Sequence, residues 1–213
     1  MTETVLYDYW RSSAAYRMRI ALNLAGIEYT SVPVDLTKGE HRAPEHLARN
    51  PQGLVPVLDI DGQRFTQSLA MLEYLDETRG MNLLPGEAVA RAKTRALAYA
   101  IAVDLHPVCN LSVATQARDM AGGGMDKMET WMQRFIRPGL QAFEALLAGF
   151  DQSPYCCGDA PGLADICLMP QMYNAARWKV ETADLPRLTA VATACAAHPA
   201  FAAAHPDRWQ PAA

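Results

Sequence analysis

The start of the chain places two hydroxyl residues between a short strand and a helix, and this pattern limits the folds that the chain can adopt. Residues 5–9 have the composition of a β-strand, and apolar residues recur at helical spacing over residues 14–25. Ser12 and Ser13 precede that apolar run, and Gly26 offers a left-handed stop after it. The sequence therefore predicts a strand, a tight turn and a helix that begins at one of the two serines.

The first turn of this helix is a candidate anion site. Unpaired backbone N–H groups and the positive end of the helix dipole point toward the N-terminus, so a hydroxyl there can help to hold a thiolate, carboxylate or phosphate. The alternative is that Ser12 or Ser13 only caps the helix, which is an ordinary role for serine. The segment by itself leaves both interpretations open.

The first 82 residues alternate between strand and helix patterns. Asp61-Gly62 is a strong two-residue hairpin signal, so the strands on either side of it should pair antiparallel. Ser68 begins a further helical pattern that ends near Gly80. The order βαβαββα predicts a small mixed sheet flanked by helices. Its strands fall at residues 5–9, 29–36, 53–60 and 63–66, and a short helix falls at residues 44–50.

The character of the sequence changes after residue 82. Strand-like alternation disappears, and Ala, Leu, Met and Arg dominate long stretches of helical periodicity. We therefore expect an α/β domain over residues 1–82, a linker over 83–90 and an all-α domain over 91–213. The helices predicted in this second half run over about residues 88–105, 125–148, 163–178 and 185–197.

Charge and cysteine usage exclude several classes of protein. The net charge is −4, and no stripe of Lys and Arg is available for nucleic-acid binding. The sequence shows no secretory signal and no apolar stretch of membrane-spanning length, so we expect a soluble cytoplasmic protein. The five cysteines are odd in number and lack metal-ligand spacing, which predicts reduced thiols and no metal site. All five lie after residue 108, so thiol chemistry in the first half needs a sulfur from elsewhere.

Two further segments of the first domain carry polar groups at positions suited to binding. Val55-Pro56 lies at the entrance of a strand, where a cis prolyl bond would expose the backbone N–H and C=O of Val55 to an extended ligand. A trans proline that simply starts the strand is the alternative. Gln67 and Ser68 stand just ahead of a helix, where Ser68 could receive a carboxylate or could form an ordinary cap.

These segments together resemble the glutathione-binding domain of the glutathione transferases. The resemblance is sharpest to the zeta class, which includes isomerases of maleylacetoacetate and of maleylpyruvate. The motif with two serines and two arginines is Ser12-Ser13-Ala14-Ala15-Tyr16-Arg17-Met18-Arg19-Ile20-Ala21-Leu22. The other similar segments are Asn50-Pro51-Gln52-Gly53-Leu54-Val55-Pro56, Gln67-Ser68-Leu69-Ala70, Asn110-Leu111-Ser112-Val113 and Ala164-Asp165-Ile166-Cys167-Leu168-Met169-Pro170-Gln171. The resemblance implies a thioredoxin-like domain followed by a helical substrate-binding domain.

The resemblance also implies glutathione as the cofactor, so the nucleophilic sulfur would arrive with it. A hydroxyl donor and a helix N-terminus lower the pKa of a thiol, which increases the reactive thiolate at neutral pH. The implied contacts are Ser12 for the thiolate, Val55 for the cysteinyl backbone, Gln67 and Ser68 for the γ-glutamyl end, and His41 and Gln52 for the glycyl end. Ser13 is a further implied glutathione contact.

The implied reaction converts maleylacetoacetate to fumarylacetoacetate in tyrosine and phenylalanine breakdown, by thiolate addition to the cis double bond, rotation and elimination. The developing enolate and the substrate carboxylates need donors or positive charge, which arginine supplies. By the resemblance, Arg11 and Arg177 are the candidate catalytic and carboxylate-binding residues, with surface salt bridges as the alternative. His106 and Asn110 are further candidate substrate contacts, although His106 could equally cap the end of its helix.

The sequence departs from the family pattern at three positions. Ala14 stands where many zeta members have a cysteine, which removes an auxiliary thiol. Gly162 stands where the family has the hydroxyl residue of a capping box that Asp165 completes. Ser112 stands where a maleylpyruvate-isomerising relative has an arginine, and this difference favours maleylacetoacetate as the substrate.

The family further implies a homodimer. Three alternatives stay open at this point: a maleylpyruvate isomerase, a general glutathione-conjugating enzyme, and a non-catalytic interaction module of the same fold. Such a module need not retain Ser12, Gln67 and Ser68 as a set, so their joint presence favours an enzyme.

Overall fold

A computed structural model describes residues 3–211 of the chain. Its contacts divide the chain into two compact units. The first comprises residues 3–82 together with residues 198–211, and the second comprises Leu83–Ala197. The first unit contains a β-sheet with helices and the second is helical. This arrangement confirms the predicted fold class.

The first unit is built on a four-stranded mixed sheet in the order β2-β1-β3-β4. Strand β1 runs parallel to β2 and antiparallel to β3, and β3 and β4 form the predicted hairpin, with Asp61 and Gly62 at positive φ. β2 and β3 are shorter than predicted, because β1 offers only four residues for them to pair with. The strands are β1 (Val5–Asp8), β2 (Thr30–Pro33), β3 (Val57–Ile60) and β4 (Gln63–Thr66).

Three helices accompany this sheet: α1 (Ser13–Leu24), α2 (Pro44–Arg49) and α3 (Ser68–Arg79). A single 3₁₀ turn, Glu40–Arg42, precedes α2. α1 and α3 pack against each other, and their buried apolar residues recur at the helical spacing seen in the sequence. The observed order is the predicted βαβαββα.

The second unit contains six α-helices among its residues. A π-helical turn, Ala100–Leu105, joins the first of them to the second, so the helix predicted over residues 88–105 exists but changes its hydrogen-bond spacing. The helices are α4 (Ala88–Tyr99), α5 (His106–Val108), α6 (Leu111–Met120), α7 (Met125–Leu147), α8 (Leu163–Arg177) and α9 (Pro186–Ala197).

The sequence analysis predicted no helix at α6, and its presence is a correction. Asn110 caps this helix, because its Oδ1 accepts a hydrogen bond from the Val113 N–H at 3.0 Å. Ala114 is the residue of α6 that is buried, so the helix lacks the wide apolar stripe by which a helical pattern is recognised.

Close packing and one buried carboxylate organise the second unit. A Cβ on Gly139 of α7 would lie 2.7 Å from Cδ2 of Leu105, so a larger residue there would require the Leu105 side chain to shift. Asp165 accepts hydrogen bonds from the backbone N–H groups of Gly162 and Cys156, each at 2.9 Å. The first is the half of a capping box that a glycine cap allows. Burial raises the pKa of Asp165, and the two N–H donors partly oppose this.

The segment after residue 197 contacts the first unit, whereas the sequence analysis assigned it to the helical domain. It contains α10 (Pro199–Ala204), which packs on α1. Asn23 donates a hydrogen bond to the carbonyl oxygen of Ala200 at 3.0 Å, and Arg19 donates one to that of Ala204 at 3.1 Å. These contacts join residues more than 170 positions apart, so local sequence patterns carry no sign of them.

Within residues 3–211, no single helix combines the length and apolar character needed to cross a membrane. One pair of helical segments, 88–108 and 111–120, is long and apolar enough when the two are taken together, by length and composition alone. The pair is bent by 42° at the break between the segments.

Candidate functional site

The pairing of three strands brings the predicted glutathione contacts of the first unit to one edge of its sheet. Tyr7 pairs with Val57, and Val57 pairs with Thr66. The end of β1, the start of β3 and the end of β4 therefore lie side by side. Ser12 follows the end of β1, Val55 precedes the start of β3, and Gln67 follows the end of β4.

Ser12 is the N-cap of α1. Its Oγ accepts a hydrogen bond from the Ala15 N–H at 3.2 Å, and its backbone is extended. The N–H groups of Ser13 and Ala14 form no hydrogen bond within residues 3–211. A hydroxyl that accepts one hydrogen bond can still donate its own proton, so capping and anion binding are compatible roles for Ser12. The structure therefore allows Ser12 to cap the helix and to bind an anion at the same time.

Val55 presents an unused pair of backbone groups. The Val55–Pro56 peptide bond is cis, which answers the question that the sequence left open. In the described part of the chain, neither the N–H nor the C=O of Val55 takes part in a hydrogen bond. An extended peptide can pair with such a residue as an added strand.

Gln67 and Ser68 begin α3 in a way that differs from an ordinary cap. Gln67 occupies the cap position with φ of 67° and ψ of 102°, and its side chain makes no capping hydrogen bond. Ser68 is the first helical residue and is buried, so the alternative that Ser68 caps the helix is wrong. Its hydroxyl and the N–H groups of Ser68, Leu69 and Ala70 find no hydrogen-bond partner among residues 3–211. They form a second set of donors at a helix N-terminus.

Gln52 lies beside Gln67, and His41 lies in the preceding turn. Gln67 Nε2 donates to Gln52 Oε1 at 2.8 Å, so the structure brings these two predicted contacts together. His41 is half-buried, and its backbone oxygen would lie 3.1 Å from a Cβ placed on Gly53. Burial lowers the pKa of His41, and the neighbouring charges of Arg42 and His46 lower it further, so the imidazole is neutral at pH 7.

Arg11 lies on the turn that leads to Ser12. Its Nη2 donates to the Tyr9 hydroxyl at 3.0 Å, and its guanidinium lies 4.8 Å from the centre of the Trp10 ring. Arg11 and Trp10 line a cavity of about 210 Å³, which Val34 and Trp209 also border. No carboxylate within residues 3–211 forms an ion pair with Arg11. Its charge is therefore available to an anionic ligand.

The remaining predicted contacts lie in the second unit. His106 is half-buried in the short helix α5, and Asn110 caps α6, where its Oδ1 also accepts from the Ser112 hydroxyl at 2.8 Å. Arg177 is the last residue of α8 and is exposed, with its guanidinium 4.9 Å from the centre of the Trp178 ring. The roles of these three residues toward a substrate stay predictions.

All five cysteines are free thiols in the second unit. Burial raises the pKa of Cys109 to about 12 and that of Cys157 to about 11. Burial likewise raises the pKa values of Cys156 and Cys195, and the charge of Asp165 raises them further. Thiols of this kind are poor nucleophiles at neutral pH.

Two buried side chains behind the site were missed by the sequence analysis. His46 Nε2 and Asn50 Nδ2 both lie within hydrogen-bond distance of the Leu54 carbonyl oxygen, at 3.0 and 2.9 Å. Asn50 belongs to a segment that the sequence singled out, but His46 carried no signal, because its contact with Leu54 crosses a turn whose shape the sequence does not specify.

These groups fit the chemistry of glutathione. The tripeptide offers a thiol, an extended backbone and two carboxylates. Over its described residues, the first unit offers a hydroxyl at one helix N-terminus, an unpaired backbone at Val55 and a set of unpaired N–H donors at the start of α3.

Comparison with known proteins gives the same family. Residues 3–77 match the model of the glutathione S-transferase N-terminal domain. A maleylacetoacetate isomerase of Rhizobium meliloti is 60% identical over 98% of this chain and 99% of its own.

Two solved structures are similar over their whole length. A maleylpyruvate isomerase, a bacterial zeta-class glutathione S-transferase in its holo form, has a TM-score of 0.91 at 40% identity and covers 97% of this chain and 98% of its own. A maleylacetoacetate isomerase from Methylobacterium extorquens AM1, with bound malonate and glutathione, has a TM-score of 0.90 at 41% identity, with the same coverage. The chain belongs to the zeta class of the glutathione S-transferases.

Proposed function

We propose that this chain is a glutathione-dependent cis–trans isomerase that converts maleylacetoacetate to fumarylacetoacetate. The observation that carries the proposal is Ser12, a capping hydroxyl with its proton still available, at a helix N-terminus whose next two N–H groups have no partner among the residues that the structure describes. Identity of 60% to a maleylacetoacetate isomerase over nearly the whole chain supports the substrate.

Glutathione, when bound, supplies the sulfur nucleophile whose reversible addition to the cis double bond allows rotation about it. Ser12 donates a hydrogen bond to that sulfur, and the α1 N-terminus favours its negative charge. Val55 pairs with the cysteinyl backbone, and Gln67 and Ser68 hold the γ-glutamyl carboxylate. Gln52, with His41 as a neutral donor, contacts the glycyl end.

The substrate is a dicarboxylic keto acid, so it needs cationic partners. Arg11 provides a guanidinium that has no ion-pair partner in the described part of the chain, next to the residue that activates the sulfur. Arg177 would contact a second carboxylate, and His106 and Asn110 would be further substrate contacts. These contacts bind the substrate and stabilise the negative charge that develops on its oxygen.

Maleylpyruvate is the second candidate substrate. The structural similarity to a maleylpyruvate isomerase, with a TM-score of 0.91, favours it. Ser112 weighs against it, because its hydroxyl donates to the capping Asn110 and supplies no positive charge.

The deciding experiment supplies maleylacetoacetate and maleylpyruvate separately, with and without glutathione, to the protein and to Ser12→Ala. We expect glutathione-dependent turnover that is faster for maleylacetoacetate, and strongly reduced turnover in the variant. Conversion that does not need glutathione would reject the mechanism. Glutathione binding without turnover of either compound would instead favour a conjugating enzyme or a non-catalytic module.

The proposal includes the wider setting of the enzyme. We infer a homodimer in the cytoplasm that serves tyrosine and phenylalanine breakdown. The linker predicted over residues 83–90 ends earlier than predicted, because α4 begins at Ala88. Light scattering on the purified protein tests the dimer, and growth of a deletion strain on tyrosine as carbon source tests the pathway.

A further inference from the structure

We propose that His46 is a positioning residue of the glutathione site, which acts with Asn50 to aim the backbone of Val55 at the ligand. This inference rests on the proposed use of glutathione as the cofactor. His46 lies on α2, outside every group assigned above to a glutathione contact.

The two side chains occupy one carbonyl oxygen. His46 Nε2 lies 3.0 Å and Asn50 Nδ2 lies 2.9 Å from the oxygen of Leu54. A carbonyl oxygen only accepts hydrogen bonds, so Nε2 carries the imidazole proton. Both side chains are 2% exposed, which shields these hydrogen bonds from competing water.

The Leu54 carbonyl sets the direction of the group that follows it. The peptide bond between Leu54 and Val55 is trans, so its C=O and its N–H point in opposite directions. When His46 and Asn50 draw the carbonyl oxygen into the protein, the Val55 N–H is turned away from them. That N–H has no partner within residues 3–211, as expected for a group reserved for a ligand.

Side-chain packing does not fix this turn. The Leu54 side chain is 48% exposed, so burial of its apolar surface contributes little to holding the backbone in place. Asn50 supports the same turn with two further hydrogen bonds, since its Oδ1 accepts from the Gln52 N–H at 3.1 Å and its backbone oxygen accepts from the Gly53 N–H at 2.9 Å. The turn thus depends on polar contacts, and His46 is the donor that comes from a different element.

The test compares three variants of the full-length protein. His46→Leu removes the donor, and His46→Gln keeps an amide donor at a similar reach. Asn23→Leu is the matched control, because Asn23 also donates a side-chain hydrogen bond to a backbone carbonyl, that of Ala200, at 3.0 Å and away from the site. Glutathione affinity is measured by calorimetry, thermal stability by circular dichroism, and KM for glutathione and kcat by steady-state kinetics.

We expect His46→Leu to weaken glutathione binding by about 5- to 10-fold, which corresponds to the loss of one hydrogen bond. KM for glutathione should rise by a similar factor, while kcat at saturating glutathione stays within about 2-fold. His46→Gln should restore most of the affinity for glutathione. Asn23→Leu should lower the melting temperature but leave the affinity for glutathione unchanged.

Two results would overturn the inference. One is unchanged glutathione affinity in a folded His46→Leu protein, and the other is an equal loss of affinity in Asn23→Leu. If the unsubstituted protein itself fails to bind glutathione, the proposed function fails instead, so the two failures are distinguishable.

Discussion

Gln67 donates a hydrogen bond from its side-chain amide to the Oε1 of Gln52 across 2.8 Å, and this bond links the start of α3 to the turn before β3. Gln67 makes the contact from a backbone with φ of 67°, a conformation that costs a non-glycine residue about 1–3 kcal/mol. Strain of this kind persists where a side chain must be held in a fixed place, and here that place is the predicted γ-glutamyl contact.

Two substitutions at Gln67 separate this strain from the side-chain contact. Gln67→Ala and Gln67→Gly both remove the amide, so both should weaken glutathione binding to the same extent. Only glycine adopts positive φ readily, so we expect Gln67→Gly to be more stable than Gln67→Ala by about 1 kcal/mol. Urea unfolding and calorimetry with glutathione check the two outcomes. Equal stabilities would mean that the backbone at Gln67 is not strained.

The buried pair of Arg19 and Asp8 supports the other end of the site. Arg19 Nη1 lies 2.6 Å from Asp8 Oδ2, and the two side chains are 0% and 3% exposed. Arg19 also donates to the backbone oxygens of Trp10 and Ala204. One guanidinium therefore ties the turn that carries Ser12 to the C-terminal segment.

Removal of Arg19 should be costly. We expect Arg19→Met to lower the free energy of unfolding by about 3–5 kcal/mol, because Asp8 would be left as a buried, unpaired carboxylate. Arg64→Met is the control, since Arg64 and Asp59 also lie 2.6 Å apart but are 44% and 25% exposed, and it should cost at most about 1 kcal/mol. A similar loss in both variants, measured by urea unfolding, would contradict the role of burial.

The Arg19→Met defect should also depend on pH. Burial raises the pKa of Asp8 in the folded protein, and the charge of Arg19 opposes this. Without Arg19 the folded-state pKa rises further above the unfolded value of 3.8, so the folded state takes up a proton more readily than the unfolded chain. The stability deficit should therefore shrink as the pH falls from about 7 toward about 5. A deficit that grows over this range would show that Asp8 is not the group responsible.

Much of this fold follows from local sequence signals, and the exceptions are non-local. The Asp61-Gly62 turn fixed the hairpin, because positive φ at both residues is a local requirement that glycine and aspartate meet. The position of α10 depends on hydrogen bonds from Arg19 and Asn23 to carbonyls near the other end of the chain. Local sequence patterns do not predict contacts between residues so far apart in the chain.

The candidate site shows the same division. Ser12 could be predicted as a cap because capping depends on the residues that immediately follow it. The role of His46 could not be predicted, since it depends on how the turn at Leu54 folds back on α2. Asn110 illustrates a further difficulty: its amide was assigned to substrate binding, yet its oxygen caps a helix with little apolar periodicity.

The thiols of this chain should be inert at neutral pH. Burial raises the pKa of Cys157 to about 11 and that of Cys109 to about 12, so little thiolate forms in the folded protein. We expect negligible alkylation by iodoacetamide at pH 7.5, a rate that increases with pH without levelling off below about 9, and modification of all five cysteines after unfolding. Mass spectrometry counts the modified sites. Rapid labelling of the native protein would allow a protein thiol to compete with glutathione as the nucleophile.

Ser12 should control the ionisation of bound glutathione. A donor that bonds to the charged form of an acid lowers its pKa, so Ser12→Ala should raise the pKa of the bound thiol and move thiolate formation to higher pH. The variant should also lose about 1 kcal/mol of stability through the missing cap, and kcat at neutral pH should fall by about 10²- to 10³-fold. Ser13→Ala is the comparison variant, because it removes the neighbouring hydroxyl, also an implied glutathione contact, while the Ser12 cap and the Ser12 donor to sulfur stay in place. The ultraviolet absorbance of the thiolate, followed during a pH titration of the glutathione complex, measures the pKa of the bound thiol directly. An unchanged thiol pKa in Ser12→Ala would show that the helix N-terminus alone stabilises the thiolate and that the hydroxyl serves only as a cap.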